Sequence, residues 1–367
     1  MFEFTIEKNK ILTPLLALTG VVDKRQSLPV LSNILFELND DSLTLTATDL
    51  EIEMTANLEC AVLTPSSITI PARKLVDIIR SLDDDSPVTF SNKGNYLNIQ
   101  SQRSRFRLAT LPANDFPKSK VGENLVEMSI DREALLRLFQ TTYFAMSQQD
   151  VRVYLNGLLL EFSKDSLTSV ATDGHRMAIA KVFLTELNQQ HRVIIPRKGI
   201  LEILRLLSSV EDISVDLCVG DGHFTVHTSC YTFMTKLVES RYPAYHKVIP
   251  RHLSTFVLVD RDFLKRSLNR ITILAHEKTR AIILSLQQTG LCLIANNQQH
   301  EEATEELEAQ IDGEYFRIGI NAVYLLDVLN HLPEGLIRLS FVDADSSILL
   351  ETLADENYQY VIMPMKL

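Results

Sequence analysis

"LTSVATDGHRMAIA", Leu167 to Ala180, decides the fold because the chain repeats it three times. "LTLTATDLEIEM" begins at Leu43 and "LCLIANNQQHEEA" at Leu291. The Asp or Asn that closes the alternating run therefore stands at 49, 173 and 297, a period of about 124 residues. Upstream, "FTIEKNKILTPLLALTG" (from Phe4) matches "MSIDREALLRLFQTTYF" (Met128) and "FVLVDRDFLKRSLNRIT" (Phe256): a short alternating strand, then apolar residues at helical spacing. Downstream, "SITIPARKLVDIIRSL" (Ser67) matches "RVIIPRKGILEILRLL" (Arg192) and "YFRIGINAVYLLDVLNHL" (Tyr315), with second helices opening near 71, 196 and 321.

Each unit reads strand, helix, several strands, helix, several strands, so the fold class is α+β with largely antiparallel sheet. The expected architecture is three similar domains in tandem, spanning 1–127, 128–253 and 254–367. Turn signals at Asn39-Asp40-Asp41, Lys93-Gly94-Asn95, Gly220-Asp221-Gly222 and Thr289-Gly290 mark hairpins within them.

At 367 residues, 46% hydrophobic and 23% charged, the composition is that of a soluble globular protein. The start "MFEFTIEKNK" reads as a strand and not a signal peptide, and no apolar run is long enough for a membrane helix. Cys60, Cys218, Cys230 and Cys292 form no CxxC pair and suit reduced, cytoplasmic thiols. Cys218, His223, His227 and Cys230 invite zinc, but they flank a hairpin turn and lack tight ligand spacing, so no metal or other cofactor is expected.

A net charge of −11 argues at first against a polyanionic partner. The charge is unevenly placed, however. The six expected helices, 8–19, 71–82, 131–143, 196–208, 260–271 and 320–332, hold fourteen Lys and Arg against seven Asp and Glu. Lys8, Lys10, Arg73, Lys74, Arg80, Arg132, Arg137, Arg197, Lys198, Arg205, Lys265, Arg266 and Arg270 are either solvated helix faces or a repeated surface for one polyanion.

Asp173-Gly174-His175-Arg176 carries the side-chain types of an active site. Asp173 and His175 offer an acid–base pair, but no nucleophile elbow accompanies them and the other two copies lack the set. "SQRSRFRLA" has a basic edge and "HEEATEELE" an acidic one, which suggests a head-to-tail contact between chains that can close into a ring. The Met-rich end "YQYVIMPMKL" suits an adaptable pocket.

Taken in order, "LPVLSNILFE", "TATDLEIEM", "QDVRVYLNG", "VATDGHRMA", "IPRKG", "ANNQQHEEA" and "VIMPMKL" resemble the bacterial DNA polymerase III beta subunit family, the sliding clamps, over essentially the full chain. The resemblance implies a DNA-clamp fold and a non-catalytic, head-to-tail homodimer. It implies a ring around duplex DNA that tethers the polymerase III alpha subunit, the clamp loader, other polymerases and repair proteins through short linear motifs. It places a peptide pocket at Arg152, Tyr154, Leu155, Thr172, Gly174, His175, Arg176, Met177, Pro243, Lys247, Val248, Asn321, Tyr324 and Ser347. The tail residues Val361, Met363, Pro364, Met365 and Lys366 complete that pocket. Met177 and Lys366 replace the Leu and Arg of close relatives, keeping apolar and cationic character. DNA contacts map to Arg25, Gln149 and Tyr154, with Arg73, Arg197 and Lys198 on the helices; Val153 stands where some relatives have a second Tyr. The dimer edges map to Arg103, Arg105, Phe106 and Leu108 against Ile273, Leu274, Glu301, Glu302 and Glu305.

Overall fold

A computed structural model describes residues 2–22, 28–39, 41–60, 65–119, 123–184 and 190–366. Its contacts gather into two compact units, Met1–Glu133 with Leu201–Leu237, and Ala134–Ile200 with Val238–Leu367. The helices are α1 (Lys8–Thr19), α2 (Ala72–Ser81), α3 (Arg132–Gln140), α4 (Arg197–Ser209), α5 (Arg261–Ile271) and α6 (Ala322–His331). They fall where the apolar spacing places them. One ends early: α3 stops at Gln140, and the hydroxyls of the following Thr141 and Thr142 donate back to the carbonyls of Arg137 and Leu138. None of the described helices is long and apolar enough to cross a membrane.

The first helix of each repeat opens on a cation with a shared task. Lys8 donates to Leu82 O, Arg132 to Leu207 O (2.9 Å) and Asp212 O (2.8 Å), and Arg261 to Leu329 O (3.4 Å). Each thereby reaches carbonyls at or near the end of the repeat's second helix, where positive charge is favoured. Lys8 and Arg132 are therefore helix caps and not members of a polyanion-facing set. Arg205 is likewise spent on Glu202 and Ala17 O, and Arg270 on Glu305. Lys10, Arg73, Lys74, Arg80, Arg137, Lys198 and Arg266 stand on exposed helix positions.

All four sheets are antiparallel wherever strands pair. In the first unit an eight-stranded sheet joins repeat one to repeat two by pairing Ile52–Glu59 with Tyr231–Lys236. In the second, a nine-stranded sheet joins repeat two to repeat three by pairing Arg176–Phe183 with Tyr358–Ile362. The two joints have one register. Ile52 lies opposite Thr235 and Arg176 opposite Ile362, while Asn57 N donates to Cys230 O and Lys181 N to Asn357 O. Each unit also holds a four-stranded sheet with an outermost strand, Ser104–Ala109 in the first and Glu302–Leu307 in the second. These two strands occupy the positions in their repeats that the other four edge strands use at the joints.

Candidate functional site

The Thr172–Arg176 segment is first of all a turn. Thr172 Oγ1 donates to Arg176 O (2.6 Å) and accepts from Gly174 N (3.1 Å), while Asp173 Oδ1 accepts the amides of His175 (2.9 Å) and Arg176 (3.0 Å). Repeat one builds the same turn with Thr48 and Asp49, and Asn297 builds a one-residue-longer version in repeat three. Asp173 is thus a backbone organiser, and the acid–base pair with His175 dissolves. The third residue of the turn takes positive φ, 77° at Leu50 and 89° at Gly174, a conformation that favours glycine and that Leu50 adopts at a cost. A Cβ at 174 would also lie 3.2 Å from Arg152 Nη2, so that side chain would have to shift by a few tenths of an ångström.

Beside this turn lies an apolar cluster whose residues all belong to the second unit. Its buried members are Leu159, Val170, Met177, Ile179, Ile194, Tyr245, Leu349 and Val361; half-buried Tyr154, Val238, Tyr242, Ile249 and Leu253 pack against them. Tyr154 and Tyr242 meet edge to face at 6.2 Å. Tyr245 OH donates to Glu161 Oε2 (2.9 Å), and Tyr242 OH points to Val170 O (3.4 Å). Burial drives both phenols far above their ordinary pKa.

The rim is polar. Arg152 Nε and Nη2 each lie 2.9 Å from an oxygen of Asp150, whose carboxyl this pairing holds down at about 2. His175, Pro243, Lys247, Val248 and Met363 are exposed along it. The tail is pinned at two places, by Met363 N to His175 O (2.9 Å) and Met365 N to Gly319 O (2.7 Å), leaving Pro364 half-buried and Lys366 exposed.

Several of the expected pocket residues also serve the fold. Leu155 is interior, Thr172 serves the turn, and Asn321 caps α6 by accepting Val323 N (2.9 Å). Ser347 is half-buried just ahead of the Ile348–Thr352 strand. Arg176 is enclosed by Asp173, Asp327 and Phe144 O. Sequence reasoning missed Asp150, Phe144 and Asp327, and it passed over Tyr242 and Tyr245 although both sit in "YPAYHKVIPRHL".

The same place in repeat one is polar. Val170, Ile179, Met177 and Ile194 correspond there to Thr46, Thr55, Glu53 and Thr69. These polar groups satisfy one another and the neighbouring chain. Thr46 meets Thr55 (3.3 Å), Thr69 donates to Leu111 O (3.0 Å), and Glu53 accepts Ser119 N (3.1 Å). Burial raises the Glu53 carboxyl above its usual 4.5, against the lowering influence of the Ser119 amide and Lys118. A raised carboxyl stabilises the fold below its unfolded pKa and loses that contribution as pH climbs through the folded value. Glu53→Gln is therefore expected to raise the melting temperature at pH 7, with the gain gone below about pH 4. A pH-independent change in melting scans would contradict it.

Among the DNA-contact candidates, Arg73, Gln149 and Lys198 are exposed, and Tyr154 packs against the apolar cluster. Arg197 is instead turned to the carbonyls of Tyr143 (3.4 Å) and Met146 (3.3 Å), because its half-buried position makes those acceptors nearer than solvent. Arg25 lies outside the described residues. At the outer strands, Arg103, Arg105 and Phe106 are exposed or half-exposed, whereas Leu108 is buried in its own sheet at 9% exposure. Ile273 is 78% exposed, Leu274 half-buried, and Glu301 and Glu302 exposed. Glu305 is held by Arg270 of its own chain at 2.7 Å, which lowers its pKa. The four cysteines are free thiols, and among the described residues no cluster of three or more His, Cys, Asp or Glu could hold a metal.

Three tandem α+β repeats, their sheets joined strand to strand, define a repeat-built protein whose second unit carries a buried apolar cluster edged by tyrosines. The chain belongs to the DNA polymerase III beta subunit family: its N-terminal, central and C-terminal domain descriptions match residues 2–120, 129–244 and 246–366. The beta sliding clamp of Pseudomonas aeruginosa is 44% identical over 99% of this chain and all of its own, and that of Escherichia coli 38% over the full length of both. A crystal structure of the Pseudomonas aeruginosa DNA polymerase III subunit beta superposes with a TM-score of 0.96 at 42% identity, covering both chains fully. Another crystal structure of that sliding clamp, bound to griselimycin, also gives 0.96 at 42% identity, over 100% of this chain and 99% of that one.

Proposed function

We propose that this chain is a sliding clamp: two copies join head to tail into a ring that encircles duplex DNA and tethers a polymerase to it. The observation that carries this reading is the shared register of the two internal joints. Applied to the two outer strands, the same rule sets Leu108 of one chain opposite Glu301 of another, Arg107 opposite Glu302, Phe106 opposite Ala303 and Arg105 opposite Thr304. Glu306 N would donate to Arg103 O, as Asn57 and Lys181 do to Cys230 and Asn357. The exposed face then alternates Arg105 and Arg107 with Glu302 and Glu306, which is charge-complementary. The acidic groove of about 680 Å³ beside that strand, lined by Glu305, Glu306, Glu308 and Phe263, would receive Arg103.

Each edge differs from its partner, so the contact is heterologous and stops only by closing on itself. Domain limits near 127 and 253 follow from the repeat. Exposed Arg73, Lys198 and Gln149, with Arg25, would meet phosphates without reading bases, which suits sliding. The apolar cluster would line a groove that holds a short motif with apolar and aromatic anchors, shared by the polymerase III alpha subunit, the clamp loader, other polymerases and repair proteins. The reading requires no cofactor and no catalysis, because tethering raises the polymerase's effective concentration at its template. It also assigns the chain to the cytoplasm, associated with the nucleoid.

The test is a titration of a labelled peptide bearing Leu and Phe anchors, paired with product lengths on a primed template. Tyr154→Ala with Met363→Ala should weaken the peptide by about 30-fold, the size expected of central apolar anchors, and shorten the products. Unchanged affinity and product length would reject the reading.

A further inference from the structure

Arg176 opens the Arg176–Phe183 strand at the edge of the apolar cluster, and its side chain is 11% exposed. Nε lies 3.1 Å from Asp173 Oδ2, Nη2 2.9 Å from Phe144 O, and Nη1 donates to Asp327 on α6. The guanidinium carbon is also 4.7 Å from the centre of the Tyr324 ring and 5.4 Å from that of Phe144. Nε, Nη1 and Nη2 are thus each engaged within the chain.

Tyr324 and Asp327 are three residues apart on α6 and therefore share one face, so Arg176 grips the helix at both. The ring of exposed His175 lies 6.2 Å from Tyr324, within 15° of parallel. Asp327 thus holds the guanidinium, the guanidinium holds Tyr324, and Tyr324 backs the imidazole on the rim.

Resting on the peptide-groove reading above, we propose that Arg176 is a positioning residue, set by Asp327, which fixes where the Tyr324 and His175 rings stand. Neutralising Asp327 leaves the guanidinium to Asp173 and the Phe144 carbonyl, and the Tyr324 ring loses its fixed support.

The experiment is fluorescence anisotropy of a fluorescein-labelled peptide with Leu and Phe anchors, titrated with the intact full-length protein. Asp327→Asn is expected to weaken binding by roughly 5- to 10-fold, and Asp327→Glu to stay within about twofold of the unchanged protein. The decisive readout is non-additivity: in a Tyr324→Ala background, Asp327→Asn should cause no further loss. General destabilisation would add its loss in either background. An unaltered affinity with Asp327→Asn, or a full second loss on top of Tyr324→Ala, overturns the proposal. Failure of the unchanged protein to bind the peptide overturns the groove reading itself, and the proposal with it.

Discussion

Arg105→Glu combined with Arg107→Glu is expected to turn the dimer into monomers, at least a thousandfold weaker in association. The inferred register puts Arg107 directly across from Glu302 and Arg105 diagonally between Glu302 and Glu306. Reversal then sets four carboxylates side by side along one edge. Like charges brought together at an interface cost several kcal/mol, and about 4 kcal/mol is a thousandfold in the dissociation constant. Both arginines are exposed in the chain, so its own fold should survive. The one contact surrendered within it is the stacking of Arg107 on Tyr96 at 3.9 Å, worth roughly 0.5–1 kcal/mol at an exposed site. Adding Glu302→Arg and Glu306→Arg should restore association by swapping the signs. Leu108→Ala is a poorer probe, since Leu108 lies in the interior of its own sheet and its loss would disturb that packing too. Light scattering decides the matter: an unchanged dimer mass for the double variant would refute the register and the interface together.

The repeat made most of this fold legible. Alternating strands, helical apolar spacing and turn residues recur at one period, and each signal is local, so the six helices lie close to where the sequence places them. The candidate site was legible only in outline. Arg176 looks like a ligand-facing cation in "ATDGHRM", but its use is set by Asp327 and Phe144, far away in sequence. Lys8 and Arg132 read as members of a basic helix face, yet each is claimed by the end of a neighbouring helix. Arg197 and Glu305 are taken by partners that no local spacing announces. Conversely, the swap of Val170, Ile179, Met177 and Ile194 for Thr46, Thr55, Glu53 and Thr69 was present in the aligned repeats. Its meaning emerged only when the polar set proved bonded to itself and to residues 111 and 119. Local pattern specifies elements; who neutralises whom is a tertiary outcome.

A ring that holds DNA by enclosing it differs from a basic protein that holds DNA by charge, and the two respond oppositely to salt and to DNA ends. Charge-based binding falls by about 10³–10⁵ between 50 and 200 mM salt when 6–10 phosphates are neutralised, whatever the shape of the DNA. A closed ring needs no such contacts to remain, but it leaves through any free end. The measurement is gel-filtration retention of the labelled dimer after loading onto closed circular DNA at moderate salt, then again after a single cut. Stable co-elution with the circle and near-complete loss once the same molecules are linear are the expected results. Equal retention on circle and line, or loss from both on raising salt, would contradict the ring.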